Sequence, residues 1–451
     1  MKTTWLKTTL ALTISAASAQ ALANGIAINE QSASGAGTAY AGRASSALDA
    51  STIYGNPAGL TKLKRTEVSG GLAIVDAKDD ISQAHGGSPG TNKGDSVPLA
   101  SVPFGYFSTP LNDDLAVGLG IYVPYGIIND YEKSFAGRSL GSYSKVQVIT
   151  VQPTIAYKIN DRVSVGFGPT FNRIDGKLQN YLNTGILPPQ QGGNGQDTRI
   201  SIKGDDTALG YNLGVMVDLT EDTTWGLTYH SKVKYHLGGH TSISGAPNTS
   251  LSAITGLPIP GTLAQAVNGK YDAKLDITLP ESVDTSITHK LDDKWTLYGG
   301  AVWTRWSRME SIEVRNSGMN SVANSMFGTI GEDLSWKDTW SASVGASYQL
   351  NPEWVLRAGY AYDPSPTDNE HRNVRIPVGD RQILTLGAGW SPTPDLTVDV
   401  AYAYLWENTA GVNQEGKSLP TAAGSVPIQP AYSAKYDNSA NGLTAQVTYR
   451  F

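Results

Sequence analysis

Three arginines offer the most specific chemistry that residue type and position allow here. Arg357, Arg381 and Arg450 each lie in a stretch alternating large apolar with small or polar residues, and each falls on the small-residue side. A guanidinium on such a face can hold a carboxylate through two parallel hydrogen bonds. It can equally pair with an acid across an enclosed space, and Asp399 and Asp218 share that side. Residue type alone leaves both uses open. The other reactive residues do not converge. His236 and His240 stand at a strand end and in the loop after it, a weak case for a metal site. Asp113-Asp114 and Asp292-Asp293 sit in turn sequences, where Asp is a turn former. There is no cysteine, so neither a thiolate nucleophile nor a disulfide is available. No glycine-rich phosphate loop or G-x-S-x-G elbow stands at a strand-to-helix turn. The expectation is a protein that is not an enzyme and uses no cofactor or metal.

The elements that would position the arginines are long strands. Trp340, Ala342, Val344, Ala346, Tyr348 and Leu350 share one parity, against Ser341, Ser343, Gly345, Ser347 and Gln349. Leu396, Val398, Val400, Tyr402, Tyr404 and Trp406 likewise oppose Thr397, Asp399, Ala401 and Ala403. In 225–237, Trp225, Leu227, Tyr229, Val233, Tyr235 and Leu237 read as one apolar face. A period of two sustained this long means strands with one apolar face, longer than those of soluble sheets. Their length matches the roughly 9–11 residues needed to cross a bilayer at a tilt. Aromatic residues near the ends of the apolar face fit the girdles of a transmembrane barrel, and the small polar face fits its lumen.

Short acidic or proline-containing turns at 111–114, 159–162, 219–222, 291–294, 350–353 and 391–395 alternate with long connections. Those fall near 77–99, 124–144, 180–205, 238–270, 316–332, 363–378 and 407–432. This is the rhythm of periplasmic turns and extracellular loops, and it predicts an all-β antiparallel transmembrane barrel of about fourteen strands. The strand at 442–451 should close the ring against 67–77, because an open edge would expose backbone groups to lipid.

Composition agrees. Charged residues make up only 16% of the chain, and the net charge of −6 argues against a nucleic-acid partner. Lys2 and Lys7, an apolar run and Ala21-Leu22-Ala23 mark residues 1–23 as a secretory signal peptide. No later apolar run is long enough for a membrane helix. Residues 24–65 are small and aperiodic and end near the sharp turn Asn56-Pro57-Ala58-Gly59. Such a stretch builds no core of its own, and it could fold inside the wall formed by 66–451 as a plug. The third long connection carries Tyr181, Leu182, Ile186 and Leu187, and the fourth carries Leu251, Ile254, Leu257, Ile259, Leu263 and Val267. So many apolar residues in extracellular loops predict packing, ligand binding or both.

The sequence resembles the long-chain fatty acid transporter (FadL) family of Gram-negative outer membranes, which includes aromatic hydrocarbon channels. The resemblance is carried by "NEQSASGAGTAYAGRAS" followed by "NPAGL", by "VPYGIINDY" with "FAGR", by "VQPTIAYKINDRVSVGFG", and by "LPESVDTSITHKLDDKWTLYGGAVWTRWS" and "WKDTWSASVGASYQLNPEWVLRAGYAYDPSP" with "IPVGDR". It implies a fourteen-stranded barrel with an N-terminal hatch and passive uptake of a hydrophobic small molecule, a fatty acid or hydrocarbon. It implies capture in a groove of the third and fourth loops and sideways exit into outer-membrane lipid at a kinked third strand. Asn56, Pro57 and Ala58 match the hatch motif beside that exit. The third strand is expected at 115–124, where Gly118 and Gly120 would permit the bend. The family's head-group cations do not map onto matching positions. A monomer is expected. A general porin for small hydrophilic solutes and a structural or adhesive barrel are the competing readings.

Overall fold

The computed structural model describes residues 25–187, 189–421 and 424–451; the expected signal peptide, 1–23, lies outside them. Fourteen antiparallel staves form one ring. β1 (Glu67–Gly86), β2 (Ala100–Pro110), β3 (Leu115–Asp130), β4 (Tyr143–Lys158), β5 (Val163–Leu182) and β6 (Thr198–Asp218) are unbroken. The next four are each interrupted once: β7 (Thr223–His230, Val233–Ser244), β8 (Gly269–Leu279, Ser282–Lys290), β9 (Trp295–Thr304, Ser311–Ser317) and β10 (Thr329–Asp333, Thr339–Asn351). β11 (Trp354–Asp363), β12 (Arg381–Thr393), β13 (Leu396–Glu407, Ala410–Gln414) and β14 (Tyr432–Arg450) complete the wall. Each stave pairs with its sequence neighbours, and β14 pairs with β1 from Glu67↔Arg450 to Gly86↔Tyr432. That seam is the one the alternation at 442–451 predicts.

The two faces differ as the pattern requires. Trp340, Val344, Leu386, Val400, Tyr402, Leu443 and Val447 are exposed, whereas Thr397, Asp399, Ala401, Thr444, Gln446 and Thr448 are buried. A belt of exposed large apolar side chains round a closed sheet is stable against lipid, not water. Stave length departs from expectation. β5 and β6 run 20 and 21 residues, well beyond what a bilayer needs. The wall therefore extends into segments that read as loops, and the connections shrink to 87–99, 131–142 and 183–197 on that side. The face assigned to 225–237 also needs correction. Trp225, Leu227 and Tyr229 point outward, opposite buried Thr228, but Val233, Tyr235 and Leu237 are buried. The interruption at Ser231-Lys232 supplies the odd residue that swaps faces.

Residues 25–65 form two short helices, α1 (Ala33–Ala36) and α2 (Thr52–Gly55), and a 3₁₀ turn, Pro57–Lys62. Their hydrogen bonds spread round the ring. Tyr106 on β2 donates to the Gln31 carbonyl at 3.1 Å, Gln152 on β4 to Ile53 O at 3.0 Å and Thr228 on β7 to Gly55 O at 2.7 Å. Ser286 on β8 accepts from Ala44 N–H at 3.0 Å, Thr385 on β12 donates to Gly37 O at 3.1 Å and Gln446 on β14 accepts from Ala33 N–H at 3.0 Å. Wall glycines make room for this backbone. A Cβ on Gly226 would lie 1.8 Å from Ala44 O, on Gly359 2.2 Å from the Thr38 carbonyl carbon, and on Gly166 2.3 Å from that of Pro57.

The bend in β3 is not at Gly118 and Gly120. Both pair in register with β2 (Ser108, Tyr106) and with β4 (Thr154, Gln152). Their missing side chains leave space for Ile53, which a Cβ would meet at 2.7 and 3.0 Å. The register slips between Tyr122 and Tyr125, at Val123-Pro124, where proline offers no N–H to the ladder. Beyond Ile121 β3 has no partner on β2. Residues 26–28 take that side instead: Ile28 N–H donates to Pro124 O and Gly126 N–H to Ile26 O, both at 2.9 Å.

Candidate functional site

The long loops bring together a cavity of about 170 Å³. Leu182 at the end of β5, Leu187 from the loop after it, and Ile254, Leu263 and Val267 from the fourth long loop line it. Leu251 and Ile259 belong to the same apolar cluster without lining the cavity. Leu257 and Ile186 are exposed, and Tyr181 lies on the outer side, its hydroxyl hydrogen-bonded to Gln179. Met326 and Phe327, from the helix Ser321–Phe327, and Val426 and Ile428 complete the lining. Sequence reasoning missed these four. The apolar triplet Val322, Met326 and Phe327, spaced for one helical face inside a connection, was the available signal. Among the described residues, the polar ones on this wall are Thr184, Thr198 and Thr249. Ile254→Asp would place an unpaired carboxylate there. The expected result is at least a tenfold loss of affinity for a fluorescent apolar probe, with an unchanged strand signal in circular dichroism.

A second cavity, about 1020 Å³, shares Leu182, Met326, Phe327 and Ile428 with the first. Its lining combines apolar Leu178, Ile202, Ile312 and Val314 with charged Glu332, Asp333, Glu370, Arg372, Arg375, Glu415 and Lys417 and with His371. Arg375 is largely buried, with its Nε 3.6 Å from the Glu332 carboxylate and its Nη1 donating to Ser144 Oγ at 3.1 Å. Burial pulls this guanidinium below its ordinary range and Glu332 pulls it back; it stays charged. On the rim, hydrogen bonds from Lys337 and His371 hold the Asp368 carboxyl well below the usual range, and Asp368 in turn raises His371.

Leu178, Ile202, Ile312 and Val314 also line a third, almost wholly apolar space of about 70 Å³ with Ile174 and Leu237. Ile174 and Leu237 belong to a buried cluster that includes Ile127, Tyr235, Trp306, Trp336 and Ile26. Apolar side chains thus run without a break from the loop cavity to the residues seated at the β3 bulge.

The three arginines lie away from this run, and each has a carboxylate. Arg357 donates to Asp399 at 2.6 Å, Arg381 is 3.4 Å from Glu407 and Arg450 is 3.2 Å from Glu67. The ion-pair use is the one the geometry shows, with Asp399 as partner; Asp218 pairs with Lys62 instead. Asn56 binds the wall: its amide donates to Val215 O at 2.9 Å and to Ala44 O at 2.6 Å, and its oxygen accepts from Ala58 N–H. The Asn56–Gly59 turn therefore seats on β5 and β6, against Gly166 and Gly214, while residues 26–28 seat on β3. Gly59 itself is packed by Thr52, whose hydroxyl a Cβ would meet at 2.2 Å. His236 and His240 point outward on β7, and among the described residues no cluster of metal ligands occurs. A G-x-S-x-G string does occur at 137–141, but in a loop with Ser139 fully buried, not at an elbow.

The family model described as outer membrane protein transport protein (OMPP1/FadL/TodX) matches residues 14–451. The chain is 30% identical to the long-chain fatty acid transport protein of Escherichia coli O6:H1, covering 90% of this chain and 92% of the relative. The solved structure of a Pseudomonas aeruginosa FadL homologue superposes with a TM-score of 0.78 at 22% identity, covering 95% of this chain and all of that one. The Pseudomonas putida toluene transporter TodX superposes at 0.64 with 16% identity, covering 90% and 95%. At these identities the two structures speak to the fold.

Proposed function

We propose that this chain, which belongs to the outer membrane protein transport family (OMPP1/FadL/TodX), takes up long-chain fatty acids passively and releases them sideways into the bilayer. Its family is one of outer-membrane transporters of hydrophobic compounds. The observation that carries the finer reading is the unbroken apolar surface from the loop cavity to Ile26. Each methylene kept from water favours the bound state by about 0.8 kcal/mol, so an acyl chain follows such a surface where a polar solute has no reason to enter. Arg375 and Lys417 line the larger cavity beside Glu332, Asp333, Glu370 and Glu415, and these cations suit an anionic head. The name of the Escherichia coli relative points the same way. In this reading residues 25–65 are the hatch. Release of residues 26–28 from Pro124 and Gly126 uncovers the side of β3 that β2 leaves unpaired, and the ligand exits there.

The test is uptake by a deletion strain expressing this chain, offered labelled oleate, hexadecane and toluene, alongside liposome swelling with arabinose. Oleate uptake with slow swelling is expected. Rapid swelling would indicate a general porin. Toluene uptake alone would indicate an arene channel, and no uptake would indicate a structural or adhesive barrel.

A further inference from the structure

The outer face of the wall carries a row of cations whose side chains lie away from the barrel interior. Lys145 on β4 pairs directly with Lys177 on β5, Lys177 with Lys203 on β6, and Lys203 with His240 on β7. Directly opposed residues in antiparallel staves share a face, with Cβ atoms about 4.5–5.5 Å apart. The face is the outer one: Lys203 has the parity of Leu209, Tyr211 and Leu213, all exposed. Like charges stacked in this way destabilise a sheet. The three lysines have no ion pair among the described residues; Lys177 lies over the Tyr143 ring at 4.3 Å. Of the nearby acids, Asp130 stands above the row, in register with Tyr143, and the others are engaged or terminal. Asp175 and Asp205, one outward position below, are held by Arg173, and Asp272 ends the row beside His240. Arg199 and Lys270 add positive charge above it. The chain as a whole carries a net charge of −6, so the patch runs against the overall balance.

Height narrows the partner. Lys177 and Lys203 stand six residues beyond Phe171 and Leu209 on the apolar belt, about 20 Å along each tilted stave. Lysine stems reach back toward the membrane from there. The row also lies on the side of the long loops, so it faces the outer leaflet's head-group layer. We propose that Lys145, Lys177, Lys203 and His240 form a docking row for the phosphates of an outer-leaflet glycolipid. Several fixed anions on one lipid match several aligned cations, and the lipid's acyl chains lie along Phe171, Leu209 and Leu213 below.

The test compares full-length protein with K145Q/K177Q/K203Q in detergent, by native mass spectrometry and by retention on rough-type lipopolysaccharide before and after its phosphates are removed with hydrofluoric acid. The native protein should bind the phosphorylated glycolipid at least tenfold more tightly than the dephosphorylated one. The triple variant should lose that preference while keeping its fatty acid binding. Millimolar inorganic phosphate should not displace the glycolipid. Equal binding of both glycolipid forms by the native protein would overturn the proposal whether or not the variant folds. So would displacement by free phosphate, or a variant that keeps the preference.

Discussion

Gly226→Val unseats residues 25–65 and leaves the wall standing. The new Cβ would enter the space of the Ala44 carbonyl, 1.8 Å away, and the obstacle is backbone rather than the mobile end of a side chain. Valine suits a strand, so β7 has no reason to unravel. Overpacking of this kind costs about 1–3 kcal/mol. Gly359→Val adds a second collision, 2.2 Å from the Thr38 carbonyl carbon on the far side of the segment. The double variant should raise liposome swelling with arabinose at least tenfold, with the barrel's heat-modifiable migration on gels unchanged. Swelling at the native rate, with no gain in protease access to 25–65, would show that the segment does not obstruct the bore.

Asp284→Asn should have the second largest effect, and the same segment should feel it. Arg43 Nε donates to Asp284 Oδ2 at 2.6 Å, with the side chains 11% and 3% exposed. Its Nη1 donates to Asn29 at 3.0 Å, and its guanidinium lies between the rings of Tyr40 and Tyr54. Removing one member of a buried pair strands the other charge, at roughly 3–5 kcal/mol. Here the strain can relax by local opening, because the pair joins the segment to β8 and not one stave to the next. Protease cleavage within 25–65 should accelerate by about two orders of magnitude or more when reclosing outpaces cutting. Arg43→Met together with Asp284→Asn leaves no buried charge and should recover much of the loss. A double variant as open as the single one would mean that the pair holds by shape, not charge.

Much of the wall was legible because lipid on one side and small residues on the other enforce strict alternation, as at 339–351 and 396–407. The seam was legible for the same reason. The overshoot of β5 and β6 was not, since outward charge above the belt reads like loop sequence: Arg173, Lys177, Lys203 and Asp205 break the apolar parity without breaking the strand. The bulge in β3 was hidden because Pro124 signals a strand end at least as readily as a slip in register. Glycine misled in the opposite sense. Gly118 and Gly120 are absent side chains serving Ile53, not hinges. The loop residues Leu182, Leu187, Ile254, Leu263 and Val267 could be read because apolar residues in a wet connection demand company. Which other loops would supply that company, Met326 or Ile428, depends on tertiary placement that no local pattern encodes. Glu67 and Glu407 were missed as partners of Arg450 and Arg381 for a related reason: each is a direct cross-strand neighbour, and register had to be known first.

The bonds between Gln446 on β14 and both Ala33 and Asp49 span 413 and 397 residues of chain. They sit on the same stave whose other edge seals the cylinder against β1. Closure of the ring and the last side-chain bonds to the leading segment thus depend on the same stave. The earliest part of the polypeptide must wait, uncovered, for the latest, and a chain halted before β14 would reach the periplasm with neither a lid nor a wall to hold one.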